Sequence, residues 1–306
     1  MLTKIADIPS QMLDIYAKLL LMDAMPNIYF RQFVDYKLDF TVQPGERMLF
    51  SRLDNLIEGG RLVDEDTPIT KNKMTGTAEY VTVYEFGNGA SFSRRAATAS
   101  LRNMMEDARR VLSRDYAIVM DKYLRDVFQT CANKFYMTNV YTAGTSTASV
   151  DAYFNDIALA SLVQKAKELN MPKFNRGADS FYAFVGTPHQ IRQIRASMGW
   201  LAARQYVNPS DMLNGEAGRL NDVVFFDSTH MQSAGAIGSG SAVVHRGVFI
   251  GADAVGYGES VPMELIPDPP EDFGRKQSIA WYTIAGAGVL NEYAIDVYTK
   301  YGFATS

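Results

Sequence analysis

The run TASLRNMMEDARRVLSRDYAIVMDKYLRDVFQTCAN, residues 98–133, decides how this 306-residue chain folds. Leu101, Met104, Met105, Ala108, Val111, Leu112, Tyr116, Val119, Tyr123 and Val127 recur at three- and four-residue spacing, the mark of one apolar stripe along one helix. At 1.5 Å per residue such a helix reaches about 54 Å. A compact globule of this length has a radius of gyration of only about 19 Å. Arg102, Arg109, Arg110, Arg114 and Lys122 lie elsewhere on the helix, interleaved with Glu106, Asp107 and Asp121. Acids alternating with bases read as a solvated or intersubunit face and not as a nucleic-acid contact.

Upstream of the helix the chain is extended. Residues 37–42 alternate polar and apolar, Pro44-Gly45 makes a turn, and residues 46–53 read as a second strand. Residues 58–66 (EGGRLVDED) place four acids against one arginine around a glycine pair, an exposed tip closed by Pro68. A strand is expected from Glu79 to Phe86, a break at Gly87-Asn88-Gly89, and a further strand over residues 90–93. With few large apolar runs, this arm cannot bury a core of its own. Pro9-Ser10 signals a leading amphipathic helix to about Asp23, with Met12, Leu13, Tyr16, Leu19 and Leu20 on one side. Nothing nearby covers that face, so it is expected to lie against a neighbour. Arm and helix together describe a flat, elongated subunit whose partners are copies of itself.

Downstream, helix and strand mix. Residues 133–150 read as a connector, 151–169 as a helix, and 180–185 as a buried strand. Thr187-Pro188 opens a helix through Ile191 and Ile194 toward Trp200, with proline at its first position. Residues 223–226 form an apolar strand, 242–244 and 248–250 a hairpin pair, and 279–284 and 289–298 the closing strands. The fold class is α+β.

Composition and motifs exclude more than they assign. Hydrophobic residues make up 47% of the chain, enough for a substantial core, and the net charge of −4 argues against nucleic-acid affinity spread over the whole surface. A single cysteine, Cys131, rules out an intrachain disulfide framework and reads as a small packing residue. No apolar run approaches the roughly 18 residues that span a bilayer, and Asp7, Asp14 and Lys18 interrupt any signal-peptide pattern. His189, His230 and His245 are not spaced as metal ligands. Gly286-Ala287-Gly288 follows a strand but lacks the third glycine of a dinucleotide fingerprint, and Gly238-Ser239-Gly240 is no nucleophile elbow. No catalytic residue, metal site or cofactor is expected.

In order and local pattern the chain resembles the major capsid proteins of tailed bacteriophages, with the Hong Kong 97-type fold. Leu56-Ile-Glu-Gly-Gly60 and the stretch from Tyr84-Glu-Phe-Gly87 to Ser93 look like that family's extended loop, and the long helix is similar to its spine helix. Gly186-Thr-Pro-His-Gln-Ile-Arg-Gln-Ile194 looks like the strand-to-helix step of the axial domain. Gly215-Glu-Ala-Gly-Arg-Leu-Asn-Asp-Val-Val-Phe-Phe-Asp-Ser228 resembles the approach to a central strand. Gly274-Arg-Lys-Gln-Ser-Ile-Ala-Trp-Tyr282 and Ala285-Gly-Ala-Gly-Val-Leu290 are similar to the closing strands.

The resemblance implies an N-terminal arm over residues 1–36, an extended β-hairpin loop over 37–92, and an axial domain over 151–254. The peripheral domain would be 93–150 with the spine helix, joined by C-terminal strands over roughly 255–306. It implies a structural, non-enzymatic protein that self-assembles into pentamers and hexamers of an icosahedral shell around double-stranded DNA. Such a shell is assembled in the host bacterial cytoplasm and is part of the virion. Its partners would be other copies, portal, scaffolding or cement proteins, and packaged DNA touched without sequence preference, with no membrane and no cofactor. Glu58, Asp64, Glu65 and Asp66 of the acidic turn are the candidate intersubunit contacts, with Arg94 and Arg95 as their basic counterparts. About thirty-five residues precede the first strand, so any scaffold is expected to be a separate protein. Lys71 and Lys73 lie on the loop, but no pattern marks a crosslinking partner, and contacts alone are expected to hold it. An encapsulin-like nanocompartment shell is the nearer alternative. A soluble α+β enzyme is the more distant one.

Overall fold

The computed structural model describes residues 29–37, 47–53, 69, 71–99, 104–138, 146–176, 179–197, 216–231, 233–270 and 272–302. A 3-10 turn at Phe30–Phe33 leads into β1 (Asp35–Lys37), followed by β2 (Arg47–Leu53), β3 (Gly76–Thr82) and β4 (Tyr84–Ser93). Helix α1 (Arg94–Ala99) and helix α2 (Met104–Gln129) come next, then β5 (Lys134–Tyr136) and α3 (Asp156–Glu168). Strands β6 (Phe174–Arg176) and β7 (Asp179–Gly186) precede α4 (Pro188–Arg195). The rest is strand: β8 (Glu216–Leu220), β9 (Val223–Asp227), β10 (Ser233–Gly235), β11 (Val244–Ile250), β12 (Val255–Pro267), β13 (Lys276–Val289) and β14 (Ala294–Lys300).

These strands form an eight-stranded sheet containing the path β5-β14-β11-β7-β9-β8, a four-stranded sheet in the order β1-β12-β13-β4, and the hairpin β2-β3. The continuous apolar runs of β7 and β9 are explained by cover on both faces of the larger sheet. Ala183, Val185, Val224, Phe226, Val248 and Ile250 pack toward α2, with Leu112, Tyr116, Met120, Leu124 and Phe128. Tyr182, Phe184, Val223, Phe225 and Phe249 face the other way, onto Leu159 and Leu162 of α3 and Ile191 and Ile194 of α4. Both smaller helices start where their sequences provide a cap. Asn155 Oδ1 accepts the Ala158 N–H at 2.8 Å. Thr187 and Gln190 form a reciprocal capping box, with Pro188 in the first turn.

The described part of helix α2 has 26 residues, about 39 Å at 1.5 Å per residue, and it ends at Gln129, short of the expected residue 133. Residues 98–99 belong to α1, residues 100–103 lie outside the described residues, and the downstream end closes at Thr130 and Cys131, whose N–H groups donate back to Val127 and Phe128. Its burial also departs from the expected stripe. Val111 is 65% exposed, whereas Met120, Leu124 and Phe128 are buried with Asp121 and Arg125. The reason is cover from two sides, since one cluster joins α2 to Ile279 and Trp281 of the four-stranded sheet as well as to the eight-stranded sheet.

Four strand assignments are corrected. Strand β4 runs unbroken through Gly87-Asn88-Gly89, paired with β13 from Ser93↔Lys276 to Tyr84↔Ala285, and the interruption falls at Val83 instead. The glycine at 87 answers a close approach, because a Cβ there would lie 3.0 Å from the Trp281 carbonyl oxygen. Strand β11 is one strand and not a hairpin, and residues 133–150 contain β5. Strand β14 begins at Ala294 and pairs with β11 and β5, apart from β12 and β13. The expected leading helix, residues 38–42, the acidic turn 58–66 and Trp200 lie outside the described residues.

Candidate assembly surfaces

The hairpin β2-β3 pairs Met48 with Val81, Leu49 with Tyr80 and Phe50 with Glu79. Directly opposed residues share a face, so the hairpin has two unlike sides. Met48, Phe50 and Val81 make one side and are 0%, 7% and 3% exposed. They form a small cluster with Val83 and Leu290. What lets them approach is a bare track on β12 and β13. A Cβ at Gly256 would stand 2.8 Å from the Phe50 ring, one at Gly286 2.9 Å from Met48 Cε, and one at Gly288 2.7 Å from Val81 Cγ2. Gly256 and Gly288 face each other across the strands, with Gly258 and Gly286 as the next pair of glycines in register. Arg52 adds a hydrogen bond from Nη1 to Asn291 Oδ1. Gly286 and Gly288 of the Gly286-Ala287-Gly288 stretch, with Gly256, form the seat of this hairpin.

On the hairpin's other side, Leu49, Leu53 and Tyr80 are exposed, as are Ile69, Met74 and Tyr84 nearby in sequence. A two-stranded ribbon with apolar side chains in water is marginal by itself. Nothing among the described residues covers this face.

A second anchor fixes where the chain enters the core. Asp121 is fully buried on α2. Its Oδ1 accepts the N–H groups of Tyr29 at 3.0 Å and Phe30 at 3.2 Å, and its Oδ2 lies 3.1 Å from His230 Nδ1. Arg125 Nη1 donates to the His230 carbonyl oxygen. Phe30 then packs on Phe128 at 5.6 Å between ring centroids, and Arg31 pairs with Glu259 at 3.0 Å. The carboxylate at 121 thus satisfies donors that would otherwise be buried unpaired.

Of the sequence-derived contact residues, Arg94 and Arg95 are exposed and open α1, directly after β4. The Arg94 N–H donates to the Arg275 carbonyl oxygen at 2.8 Å, which ties α1 to the turn joining β12 and β13. Glu58, Asp64, Glu65 and Asp66 lie outside the described residues. On α2, Arg110, Arg114 and Lys122 are exposed, and Arg110 pairs with Glu106 at 3.5 Å, the mixed charged surface expected there.

The titratable groups suit structure better than chemistry. Cys131 is 1% exposed, and burial, reinforced by Glu292 and Asp296, pushes its thiol up to about 12. It carries no thiolate at neutral pH. His189 and His245 sit 5.3 Å apart between ring centroids, with Tyr301 against both at 4.7 and 5.1 Å. Burial, and then the neighbouring His189, hold the His245 imidazole below the ordinary histidine range. This pair is invisible in the sequence because one ring comes from α4 and the other from β11. Among the described residues no group of three or more His, Cys, Asp or Glu side chains is placed to hold a metal, and no helix is long and apolar enough to cross a membrane.

Against known structures the chain aligns over nearly its whole length. The capsid of Ralstonia phage GP4 matches with a TM-score of 0.77 at 14% identity, covering 91% of this chain and 92% of that one. The fold is the Hong Kong 97-type capsid fold. The cyanophage Pam1 capsid matches at 0.73 with 11% identity over 88% of both chains. The capsid of Helicobacter pylori bacteriophage KHP30 matches at 0.66 with 13% identity, over 87% of this chain and 86% of that one. No protein-family model and no curated protein matches the sequence.

Proposed function

We propose that this chain is the major capsid protein of a tailed double-stranded-DNA bacteriophage, assembling into pentamers and hexamers of an icosahedral shell. One observation carries the reading. A chain that aligns over 91% of its length with a phage capsid presents a hairpin seated by one face on its own strands, with Leu53 and Tyr80 exposed on the other. The arm over residues 1–36, the loop over 37–92, the peripheral parts (93–150 and roughly 255–306) and the axial part (151–254) would then divide the work. The loop lies across a neighbouring subunit, which covers Leu49, Leu53 and Tyr80 and the open strand edges of the hairpin. Burying a leucine-sized side chain contributes about 1.5–3 kcal/mol. Each contact is therefore weak enough to correct itself, while the sum around a ring is large. The acidic residues Glu58, Asp64, Glu65 and Asp66 meet Arg94 and Arg95 of another copy in the same arrangement.

The shell would enclose DNA within the virion, with portal, scaffolding or cement proteins as further partners and assembly in the host cytoplasm. The protein's role is geometric and not enzymatic. Expression of the chain, followed by sedimentation and negative-stain microscopy, tests the proposal. Capsomers or closed shells of uniform diameter are expected. A monomer or small dimer under every condition overturns it, and particles that enclose only protein cargo would assign the shell to a nanocompartment.

A further inference from the structure

Every imidazole and thiol of the chain belongs to a described residue: His189, His230, His245 and Cys131. Two of the four already have a structural place. His230 Nδ1 lies 3.1 Å from Asp121 Oδ2, and Cys131 is packed in the core. The pair His189 and His245 differs. His245 is only 8% exposed, yet among the described residues neither its Nδ1 nor its Nε2 meets a hydrogen-bond partner. A buried ring with two idle nitrogens is unfavourable, because water that would have satisfied them has been stripped away.

The polar side chains nearby are committed elsewhere. Gln190 Oε1 accepts the Thr187 N–H at 3.0 Å, and its Nε2 donates to Thr299 Oγ1 at 2.8 Å. Tyr301, just beyond β14, sets its ring against both imidazoles, at 4.7 Å from His189 and 5.1 Å from His245 between centroids. The separation of the two histidines suits a shared ion. Nitrogens held at about 2.0–2.1 Å from one tetrahedral cation put their ring centroids roughly 5 Å apart. Here the centroids stand 5.3 Å apart. Both rings are carried on regular structure, one in the first turn of the capped helix α4 and the other in the middle of the β11 ladder. Solvent reaches them, since His189 is only partly buried and Tyr301 is exposed.

We propose that His189 and His245 hold a divalent cation of the zinc type between them, with solvent filling its other coordination positions. Imidazole suits such borderline ions, whereas magnesium and calcium take oxygen ligands. The ion ties α4 to β11 within one subunit, so the inference stands apart from the shell reading. The test is calorimetric titration of Zn2+ into the untagged full chain after dialysis against a chelator, with folding followed by circular dichroism. One Zn2+ per chain is expected, together with a melting temperature that rises as Zn2+ is added. His189→Gln and His245→Gln should each weaken the affinity on the order of tenfold or more. His230→Gln should bind as the wild type does, and Mg2+ should leave the melt unmoved. Should H245Q fail to fold because its ring is buried, H189Q decides the matter from a partly exposed position. The proposal is overturned by a wild-type chain that takes up no Zn2+, by an H189Q chain that binds with wild-type affinity, or by uptake that only H230Q abolishes.

Discussion

Strands β7 and β9 and strands β2 and β3 all carry large apolar side chains, yet these meet opposite surroundings. Every residue from Val223 to Phe226 is buried, and so is every one from Tyr182 to Phe184. In β2 only Met48 and Phe50 are buried, while Leu49 and Leu53 stand in water beside Tyr80 of β3. The eight-stranded sheet finds cover for both faces within its own chain, from α2 on one side and α3 and α4 on the other. Among the described residues the hairpin is covered on one face, on glycines of β12 and β13. Under the proposed function, the face of the hairpin that carries exposed Leu53 and Tyr80 is where a neighbouring copy would lie.

If that contrast is right, damage to the body and damage to the hairpin separate cleanly. The largest effect is expected from Trp281→Ala. Trp281 is 1% exposed, its Nε1 donates to Asp115 Oδ2 at 3.0 Å, and it packs edge-on against Tyr116 at 5.3 Å. Losing it should cost about 3–5 kcal/mol in denaturant unfolding. A cost near zero would show that α2 and the four-stranded sheet are not held as described.

Gly288→Val comes next, because even its Cβ would stand 2.7 Å from Val81 Cγ2. Overpacking of this kind costs about 1–3 kcal/mol. The strain should be relieved by lifting the hairpin, so that protease cleavage within residues 47–82 rises while the body stays intact. Cleavage unchanged from wild type would mean that the glycine track does not seat the arm.

A smaller effect is expected from acid. Burial and His189 lower the folded-state pKa of His245 below its ordinary 6.5, so the folded protein favours the neutral ring. That contribution is complete above pH 6.5 and is lost as the pH falls from 6.5 toward the lowered folded value. The melting temperature should therefore drop across this window, and His245→Gln should flatten the drop. An identical slope in the variant would remove His245 as its source.

The smallest effect on the subunit, and the largest on assembly, is expected from Leu49→Ser combined with Tyr80→Ser. Both side chains are exposed, so unfolding should shift by no more than about 0.5 kcal/mol. Closed particles should nevertheless be lost. Particles formed at wild-type yield would leave the exposed face without a role.

The features legible in the sequence are those whose causes are local. The periodicity of α2, the Thr187-Pro188 start of α4 and the apolar run of β9 need only neighbouring residues to be read. The turn at Val83, the unbroken β4 and the glycine seat depend on strands far along the chain. The seat joins Phe50 to Gly256 and Val81 to Gly288, and a lone Gly286-Ala287-Gly288 resembles other motifs until its partners are known. Asp121 reads as one more surface acid because its partners, Tyr29, Phe30 and His230, come from elsewhere. Of the candidate contacts, Arg94 and Arg95 are exposed, and Glu58, Asp64, Glu65 and Asp66 fall outside the described residues.

Amide hydrogen exchange, compared between unassembled subunits and purified particles, tests the central claim most directly. The amides of β2 and β3 should exchange quickly in the free subunit and at least about tenfold more slowly in particles, while those of β7 and β9 stay protected in both. Equal exchange of β2 and β3 in the two states would contradict the assignment of the uncovered hairpin to a neighbouring subunit.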